Sequence, residues 1–331
     1  MTRLPTRVLV TDYAWPSLDI ERRILGDAGA ELIVAESGEA DELVALAADA
    51  DAILTNWKRV PPEALDVASR CLLVSRYGVG LDNIPVDHAT ELGILVTNVP
   101  DFCLEEVSDH AMALVLACAR RVVMFARATK SGVWDIGAGR GLPRLAEQTI
   151  GLIGYGNIAR ALVPKARGFG LRVLAYTPRA TPATGEVELT NDLDQVLAES
   201  DYISLHAPAT PETAGLIGAR ELRLMKPTAY LINTSRGALI DEDALLRALE
   251  ERWISGAALD VLRQEPPRED HPLLALDDVI VTPHAAFYSE PAIAELQAKA
   301  AMNIASVLTG SLPHTVVNPG VRDRPAYRAG L

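Results

Sequence analysis

The chain has 331 residues, enough for two domains of ordinary size, and 49% of them are hydrophobic, so each domain can bury a sizeable core. Its formal net charge of −13 argues against nucleic acid as a direct partner, because an acidic surface is repelled by a phosphate backbone. The three cysteines lack the spacing of a metal or redox motif, and no signal peptide or bilayer-spanning stretch is predicted, so we expect a cytoplasmic protein without a metal or a membrane partner.

The first region of the chain alternates short apolar runs with helical patterns. Strands are predicted at 7–11, 31–35, 52–55, 72–75 and 94–97, with helices at 19–29, 41–49 and 62–69. Such alternation is typical of a parallel sheet covered by helices. The sequence therefore predicts one α/β domain over residues 1–101.

A long helix is predicted next, at 108–124, with small and apolar residues on most of its faces. A helix that is apolar all round must be buried, either within its domain or against another subunit, and we expect this one to lie at a subunit interface. The glycine-rich stretch 130–141 is predicted as a loop.

A second alternating region begins at Thr149. Strands are predicted at 150–153, 172–176, 202–205, 229–233, 256–260 and 279–282, with helices at 158–168, 193–200, 219–224 and 242–252. This order predicts a doubly wound nucleotide-binding domain over residues 102–292. A last helix at 291–308 would carry the chain back, so that residues 293–331 complete the first domain.

A glycine turn lies at the centre of this organisation. Gly154, Gly156 and Ala159 follow an apolar run in the pattern G-x-G-x-x-A, the alanine-ended form of the dinucleotide fingerprint. The first glycine permits a tight turn, the second lets the backbone approach a pyrophosphate, and the third position must be small for close packing. The following helix offers free N–H groups to the phosphates.

Three polar residues follow predicted strands of the second region. They are Arg236, Glu265 and His284. Ligands of open α/β sheets bind beyond the carboxyl ends of the strands, so the three side chains are expected to converge there. Arginine can hold a carboxylate in bidentate fashion, histidine can exchange a proton near neutral pH, and a glutamate beside it would favour the imidazolium and fix the ring. Together they predict hydride transfer to a 2-oxo acid.

The first region has a candidate of its own. Residues 76–83 follow a predicted strand, and Gly78 and Gly80 expose backbone N–H groups that could cradle a carboxylate. An ordinary strand-to-helix turn is the alternative interpretation of this stretch.

Six stretches together resemble the D-isomer-specific 2-hydroxyacid dehydrogenase family. They are YGVGLDNI at 77–84, GLIGYGNI at 151–158, HAP at 206–208, LINTSRG at 231–237, AALDV at 257–261 and TPHAA at 282–286. Within the family, residues 282–290 are most similar to the C-terminal-binding-protein branch, which pairs the dehydrogenase architecture with a corepressor role. That branch carries tryptophan where this chain has Phe287.

The resemblance implies an α/β protein of two domains, with a Rossmann-type doubly wound cofactor domain inserted into a flavodoxin-like substrate domain. It implies that Arg236 clamps the substrate, that His284 and Glu265 form the acid/base pair, and that the protein is a homodimer through the helix at 108–124. The implied substrate contacts are Val79 and Gly80, and the placement of Tyr77 and Phe287 at strand or loop ends predicts that they too contact the substrate. The implied cofactor contacts are Gly154, Gly156, Asn157, Ile158, Thr177, Arg179, His206, Ala207, Pro208, Thr213, Asn233, Thr234 and Asp260, of which Asp260 would hold the nicotinamide amide.

One departure from the family bears on the cofactor. The family places an aspartate after the second strand of the cofactor domain to bind the adenosine ribose of NAD, and this chain has Thr177, Pro178 and Arg179 there. Loss of the carboxylate together with a nearby arginine would tolerate a ribose 2′-phosphate. We therefore predict that NADP is accepted at least as well as NAD.

The leading prediction is an NAD(P)-dependent oxidoreductase that acts on a small 2-oxo or D-2-hydroxy acid. An NAD(H)-responsive binding protein and an enzyme that oxidises another small anion such as phosphite are the alternatives. Glu265 argues against formate, because formate enzymes of the family pair the histidine with glutamine. The sequence leaves the particular acid and the physiological direction open.

Overall fold

The structure is a computed structural model that describes residues 5–179 and 185–331. The chain divides into two compact units. Unit 1 comprises Met1–Phe102 and Ser289–Leu331, and unit 2 comprises Cys103–Tyr288, so unit 2 is inserted into unit 1 along the chain. The limits of the units lie close to those expected from the sequence; that each unit is an independent domain stays a prediction.

Unit 1 is built on a five-stranded parallel sheet with the strand order β2-β1-β3-β4-β5, the flavodoxin-like order. Its strands are β1 (Thr6–Val10), β2 (Ala30–Val34), β3 (Ala52–Thr55), β4 (Leu73–Arg76) and β5 (Leu95–Thr97). Its helices are α1 (Asp19–Asp27), α2 (Ala40–Ala47), α3 (Pro62–Val67), α4 (Val86–Glu91) and, after unit 2, α11 (Glu290–Leu308). The sequence prediction missed α4, which is only six residues long and begins directly after a proline.

Unit 2 is built on a seven-stranded parallel sheet with the order β12-β11-β10-β9-β6-β7-β8. Its strands are β6 (Thr149–Ile153), β7 (Arg172–Tyr176), β8 (Glu188–Thr190), β9 (Tyr202–Leu205), β10 (Tyr230–Asn233), β11 (Gly256–Leu259) and β12 (Val279–Val281). Strand order reverses between β6 and β9, the switch point of a doubly wound fold. The predicted fold class is confirmed, although the short edge strand β8 was not predicted.

The helices of unit 2 cover both faces of this sheet in the manner of a doubly wound fold. They are α5 (Leu104–Ala119), α6 (Val122–Lys130), α7 (Asn157–Gly168), α8 (Leu193–Glu199), α9 (Ala219–Leu224) and α10 (Glu242–Glu250). The core beside α5 contains Ala111, Val115, Ile150 and Leu162, each fully buried.

The single helix predicted at 108–124 is wrong in its bounds. The structure has two helices, because Arg121 adopts a left-handed conformation with φ of 49° and ends the first of them. Helix α6 then occupies residues up to Lys130, where the predicted loop begins. Most of the apolar residues of α5 are buried inside unit 2, whereas Ala113 is exposed and Leu116 and Ala117 are half-buried. No helix among the residues described is both long and apolar enough to cross a bilayer.

Candidate active site

The three polar residues predicted to converge follow neighbouring strands of unit 2. Arg236 follows β10, Glu265 follows β11 and His284 follows β12. These strands are adjacent in the sheet. Because the carboxyl ends of parallel strands share one edge, the three residues lie along the same edge of unit 2.

The imidazole of His284 and the carboxylate of Glu265 are in direct contact. Nδ1 of His284 lies 2.6 Å from Oε2 of Glu265, and Oε1 of Glu265 accepts a hydrogen bond from the backbone N–H of Leu262 at 3.0 Å. Since a carboxylate only accepts, Nδ1 carries a hydrogen and the ring orientation is fixed. The two side chains are 27% and 36% exposed, so this pair is accessible to a ligand. The other ring nitrogen, Nε2, is left to exchange a proton.

Glu265 is tuned towards its charged form. Burial alone would raise its pKa, but the hydrogen bond and charge of His284, the N–H of Leu262 and the charge of Arg236 together lower the pKa below the usual 4.5. Glu265 is therefore a carboxylate throughout the neutral pH range. A permanent anion at Nδ1 suits a histidine that works as an acid or base.

The backbone of His284 is held in an unusual conformation. Its φ is 51°, in the left-handed region that a residue with a side chain rarely adopts. The backbone N–H of His284 donates to the carbonyl oxygens of Asp260 at 2.8 Å and Thr282 at 3.0 Å. Such a conformation costs on the order of 1–3 kcal/mol and persists only where neighbours impose it. It indicates a functional constraint on the direction of the imidazole.

Asp260 imposes that constraint with its carboxylate as well as its carbonyl. Its side chain is 1% exposed. Oδ1 accepts from the hydroxyl of Thr282 at 2.5 Å and from the N–H of Ala285 at 2.9 Å, and Oδ2 accepts from the N–H of Ala286 at 2.9 Å. The residues on both sides of His284 are therefore fixed to one buried acid. Oδ2 can accept one more hydrogen bond, which suits the predicted contact between Asp260 and the amide of the nicotinamide.

Arg236 is held by the turn that follows β10. Its Nη1 donates to the carbonyl oxygen of Ser235 at 2.8 Å. The amide of Asn233 donates to the carbonyl oxygen of Arg236 at 2.8 Å and accepts from the N–H of Ser235 at 2.9 Å. Asn233, predicted as a cofactor contact, thus uses its side chain to shape the turn that presents the guanidinium.

A close backbone approach brings this turn towards the glutamate. A Cβ added at Gly237 would lie 2.0 Å from the carbonyl carbon of Leu262, so only glycine fits there. Gly237 thus packs the turn that carries Arg236 onto the segment that leads to Glu265. Sequence reasoning did not single out Gly237, although it directly follows the arginine.

The dinucleotide turn has the geometry that its sequence predicts. Gly154 has φ of 96°, and a Cβ there would lie 2.8 Å from the backbone of His206 and Ala207. A Cβ at Gly156 would meet nothing within 4 Å, so open space lies above the start of α7. Ala159 is fully buried where the helix packs on its sheet. The turn therefore leaves room for a phosphate at the start of the helix.

The residues at the end of β9 and β10 fit a bound dinucleotide. The hydroxyl of Thr234 is buried and forms no hydrogen bond with the residues that the structure describes, which leaves it available to a ligand. His206 has its Nε2 2.9 Å from Oγ of Ser204, and burial lowers its pKa to about 4, so the ring is neutral at pH 7. A neutral imidazole can line the site without adding charge.

Several other residues predicted to contact the cofactor lie in loops and helix starts of unit 2. Thr213 donates its hydroxyl to the carbonyl oxygen of Pro208 at 2.7 Å, and Ala207 accepts from the hydroxyl of Ser235 at 2.7 Å. Asn157 begins α7 and Ile158 follows it. These residues shape the loops around the predicted cofactor position.

The residues predicted to lie beside the adenosine ribose follow β7. Thr177 donates its N–H to the carbonyl oxygen of Thr190 at 3.1 Å, and Arg179 is exposed. Sequence reasoning missed Arg160, whose guanidinium lies 4.3 Å from the centre of the Tyr155 ring inside the fingerprint. An arginine one turn into the helix was the signal that could have found it.

Sequence reasoning also missed His110. This residue of α5 has its Nε2 3.0 Å from Oγ1 of Thr282 and 3.6 Å from Oδ1 of Asp260. It therefore extends the network that fixes the His284 loop. Phe287, predicted to contact the substrate, has its ring edge-on to His284 with centroids 6.0 Å apart.

In unit 1, the predicted carboxylate loop follows β4. Val79 is 38% exposed and Gly80 is half-buried, so the loop is accessible. Tyr77 is different, and the structure corrects the prediction that its side chain contacts substrate. It is 1% exposed and donates its hydroxyl to Glu21 at 2.9 Å, because its ring fills the core of unit 1.

No group of histidine, cysteine and acidic side chains suited to a metal occurs among residues 5–179 and 185–331. The residues are those of a dinucleotide-dependent oxidoreductase: a glycine turn at the switch point, with a histidine, a glutamate and an arginine along the same sheet.

Comparisons with known proteins agree with that class. Residues 112–286 match the family described as D-isomer specific 2-hydroxyacid dehydrogenase, NAD binding domain. The chain is 40% identical over 294 residues to the glyoxylate reductase of Pyrococcus furiosus, covering 85% of this chain and 86% of that one. It is 39% identical over 316 residues to the D-3-phosphoglycerate dehydrogenase of Methanocaldococcus jannaschii, covering 94% of this chain but spanning only 59% of that one.

A solved structure shows the same fold. The NADPH-dependent glyoxylate/hydroxypyruvate reductase of Sinorhizobium meliloti, in complex with NADP and malonate, matches with a TM-score of 0.83 and 28% identity over 95% of this chain and 97% of that chain. The chain therefore belongs to the D-isomer specific 2-hydroxyacid dehydrogenase family. It is an NAD(P)-dependent oxidoreductase of 2-oxo and 2-hydroxy acids. The comparisons favour neither alternative function, and the similarity to the C-terminal-binding-protein branch stays a prediction.

Proposed function

We propose that this chain reduces short 2-oxo acids, with glyoxylate and hydroxypyruvate as the first candidates. The observation that carries the proposal is the 2.6 Å contact between His284 and Glu265 at the sheet edge that also carries Arg236. The names of the relatives, glyoxylate reductase and glyoxylate/hydroxypyruvate reductase, support acids of this size.

The side chains divide the reaction between them. When bound, the reduced nicotinamide supplies a hydride to the carbonyl carbon of the substrate. Arg236 binds the carboxylate and polarises the adjacent oxo group. His284 gives a proton from Nε2 to the oxo oxygen, so that a 2-hydroxy acid forms, and Glu265 holds the ring through Nδ1. Asp260 and Thr234 hold the nicotinamide, and the backbone of Val79 and Gly80 receives the substrate carboxylate.

Turnover of 2-oxo acids of graded size with NADH and NADPH tests this function. We expect reduction of the smallest acids, and we expect His284→Ala to lower kcat by about 10²–10⁴-fold, the usual contribution of a positioned general acid. His88→Ala is the matched control, since His88 also contacts a carboxylate, that of Asp66 at 2.8 Å, but lies in α4. Wild-type protein without activity on any 2-oxo acid would refute the proposal.

The cofactor preference is a second part of the proposal. Thr177 and the exposed Arg179 stand where a carboxylate would bind the ribose of NAD, so NADP is accepted at least as well as NAD. The ratio of kcat/KM for the two cofactors tests this. A preference for NAD above about a hundredfold, some 2.7 kcal/mol, contradicts it. We expect Thr177→Asp to shift the ratio towards NAD, whereas Thr190→Ser leaves it unchanged.

We also propose that the chain forms a homodimer. The predicted helix at 108–124 is two helices, and the exposed apolar residue near its end is Val122, the first residue of α6, which is 54% exposed. Trp134 and Ile136, in the following loop, are 91% and 87% exposed, so an interface here would bury apolar surface. Sedimentation velocity of wild type and Trp134→Asp tests this. A Phe169→Asp control, at another exposed aromatic, should remain dimeric.

Cytoplasmic localisation remains part of the proposal. All three cysteines are buried and free, which suits a reducing compartment. Cell fractionation with an antibody against the chain tests it.

A further inference from the structure

Glu21 is a buried carboxyl group that the proposed reaction does not use. It lies on α1, with 0% of its surface exposed. Its Oε1 accepts a hydrogen bond from the hydroxyl of Tyr77 at 2.9 Å, and its Oε2 accepts from Nε2 of Gln297 on α11, also at 2.9 Å. One carboxyl group therefore joins three segments that are far apart in the sequence.

A carboxyl group in this position is costly. Burial raises the pKa of Glu21, and the hydrogen bonds from Tyr77 and Gln297 offset only part of that effect. Neutral apolar side chains could fill the same space without this cost. The carboxyl group instead fixes the positions of two hydrogen-bond donors, because each of its two oxygens accepts from one of them.

Tyr77 connects Glu21 to the backbone that follows β4. Its ring packs edge-on against Trp15, with centroids 4.7 Å apart. Its backbone N–H donates to the carbonyl oxygen of Thr55 at 2.8 Å, and its carbonyl oxygen accepts from Nη1 of Arg76 at 2.6 Å. The hydroxyl at the far end of the side chain is the remaining polar group, and Glu21 holds it. Tyr77 is thus fixed at both ends.

The accessible loop begins at the next residue. Gly78 has φ of 136°, and its carbonyl oxygen accepts from the N–H of Val99 at 2.9 Å. The carbonyl oxygen of Val79 accepts from the amide of Asn98 at 2.7 Å. These bonds fix the loop on the side of β5, so Tyr77 is the fixed point on the side of β4 and α1.

We propose that Glu21 is a positioning residue for the substrate: acting through the hydroxyl of Tyr77, it sets where the Val79–Gly80 backbone meets the carboxylate of a 2-oxo acid. The inference rests on the proposed function of this loop. Residues buried between α1 and α11 in unit 1 would then contribute to substrate affinity. The sequence around Glu21 and Tyr77 does not indicate such a contribution.

Three variants test the inference: Tyr77→Phe, Glu21→Gln and the double variant. For each, KM for the 2-oxo acid, kcat, the Kd of the reduced cofactor and Tm are measured. We expect each single variant to raise KM about tenfold, the size of one hydrogen bond, with the cofactor Kd changed less than twofold. The double variant should be no worse than the poorer single, because both changes break one connection.

Tyr202→Phe is the matched control. Tyr202 is also a buried tyrosine, 2% exposed, whose hydroxyl donates to one side chain, Gln148 at 2.7 Å, but it lies at the amino end of β9 in unit 2. It should lower Tm by a similar amount and leave KM unchanged. If Tyr77→Phe and Glu21→Gln behave like this control, Glu21 is merely structural and the inference is overturned.

The outcomes separate the two proposals. Wild-type protein that reduces a 2-oxo acid while both variants keep its KM overturns the positioning role alone. Wild-type protein that reduces none refutes the function, and the positioning role with it. Tyr77→Phe removes a single oxygen atom and decides the matter if Glu21→Gln does not fold.

Discussion

Two buried carboxyl groups, Asp260 in unit 2 and Glu21 in unit 1, lie beneath loops with proposed roles in binding or catalysis and are held in opposite ways. Asp260 accepts from two backbone N–H groups and one hydroxyl, all within the five residues from Thr282 to Ala286. Glu21 accepts from the side chains of Tyr77 and Gln297, which are 56 and 276 residues away. The first acid organises one local loop, whereas the second ties distant segments together.

This difference determines how substitutions at Asp260 and Glu21 affect the loop above each of them. Only a substitution to proline removes a backbone N–H group, so a change at Asp260 itself leaves donors in place without an acceptor, the most expensive way to lose a hydrogen bond. The partners of Glu21 are side chains, so its contacts can be removed one at a time with their donors. We therefore expect a steep response at Asp260 and a graded one at Glu21.

The largest effect is expected for Asp260→Asn. The amide keeps one acceptor oxygen but turns an NH₂ group towards an N–H donor, either that of Ala285 or that of Ala286. The loop must shift, and a shift of about 1 Å in a reacting group can cost about a hundredfold in rate. We expect kcat to fall by about that factor and the free energy of unfolding by about 1–3 kcal/mol. Steady-state kinetics and thermal melts measure both.

Two variants control this result. Asp192→Asn changes an aspartate that also accepts a backbone N–H, that of Gln195 at 3.2 Å, but at the start of α8, and should leave kcat unchanged. Thr282→Val removes the hydroxyl that contacts both Asp260 and His110, and it should lower kcat with the cofactor Kd unchanged, which separates the loop from the proposed nicotinamide contact. A kcat of Asp260→Asn within threefold of wild type would show that the loop needs no such clamp.

Glu265 combines the two arrangements, since one oxygen accepts from the backbone of Leu262 and the other faces the side chain of His284. Its pKa is lowered, so wild type keeps an anion beside the ring at every pH above about 4.5. In Glu265→Gln that anion is absent, and a charged imidazole is less favoured. Reduction needs the protonated ring, so the rate of the variant should decline at a lower pH than that of wild type.

The reverse reaction provides the check. Oxidation of the 2-hydroxy acid needs the unprotonated ring, so Glu265→Gln should move the rising limb of its pH profile to lower pH as well. Profiles of kcat/KM against pH in both directions measure this. Profiles of the variant that superimpose on those of wild type after scaling would mean that Glu265 acts only through packing.

The sequence was sufficient for what depends on strand ends and local turns. Arg236, Glu265 and His284 were found because each follows an apolar run, and the ends of parallel strands meet at one edge. Gly154 was found because a turn with φ of 96° against a neighbouring backbone has a short sequence signature.

What depends on distant partners could not be predicted. Glu21 stands in α1 beside two arginines, a pattern that indicates an exposed helix surface, yet it is buried and contacts Tyr77 and, on α11, Gln297. Tyr77 was predicted to contact substrate because it borders the glycine loop, yet its side chain turns to Glu21 instead. The break at Arg121 was missed because a left-handed arginine has no sequence signature.

The smallest effect concerns stability against pH, and it tests the buried state of Glu21 directly. An acid whose pKa is raised by folding loses stability as pH rises from its unfolded value through its folded one, since the folded state retains the proton longer. The Tm of wild type should therefore fall relative to that of Glu21→Gln as the pH rises from 4.5 towards neutrality. Glu42→Gln gives the opposite sign. Hydrogen bonds from Ser37 and the neighbouring backbone lower the pKa of Glu42 to about 2. The Tm of wild type should therefore fall relative to that of Glu42→Gln as the pH falls from 4.5 towards 2. Tm differences measured across both ranges should thus slope in opposite directions, and parallel slopes would show that Glu21 is not held in an apolar interior.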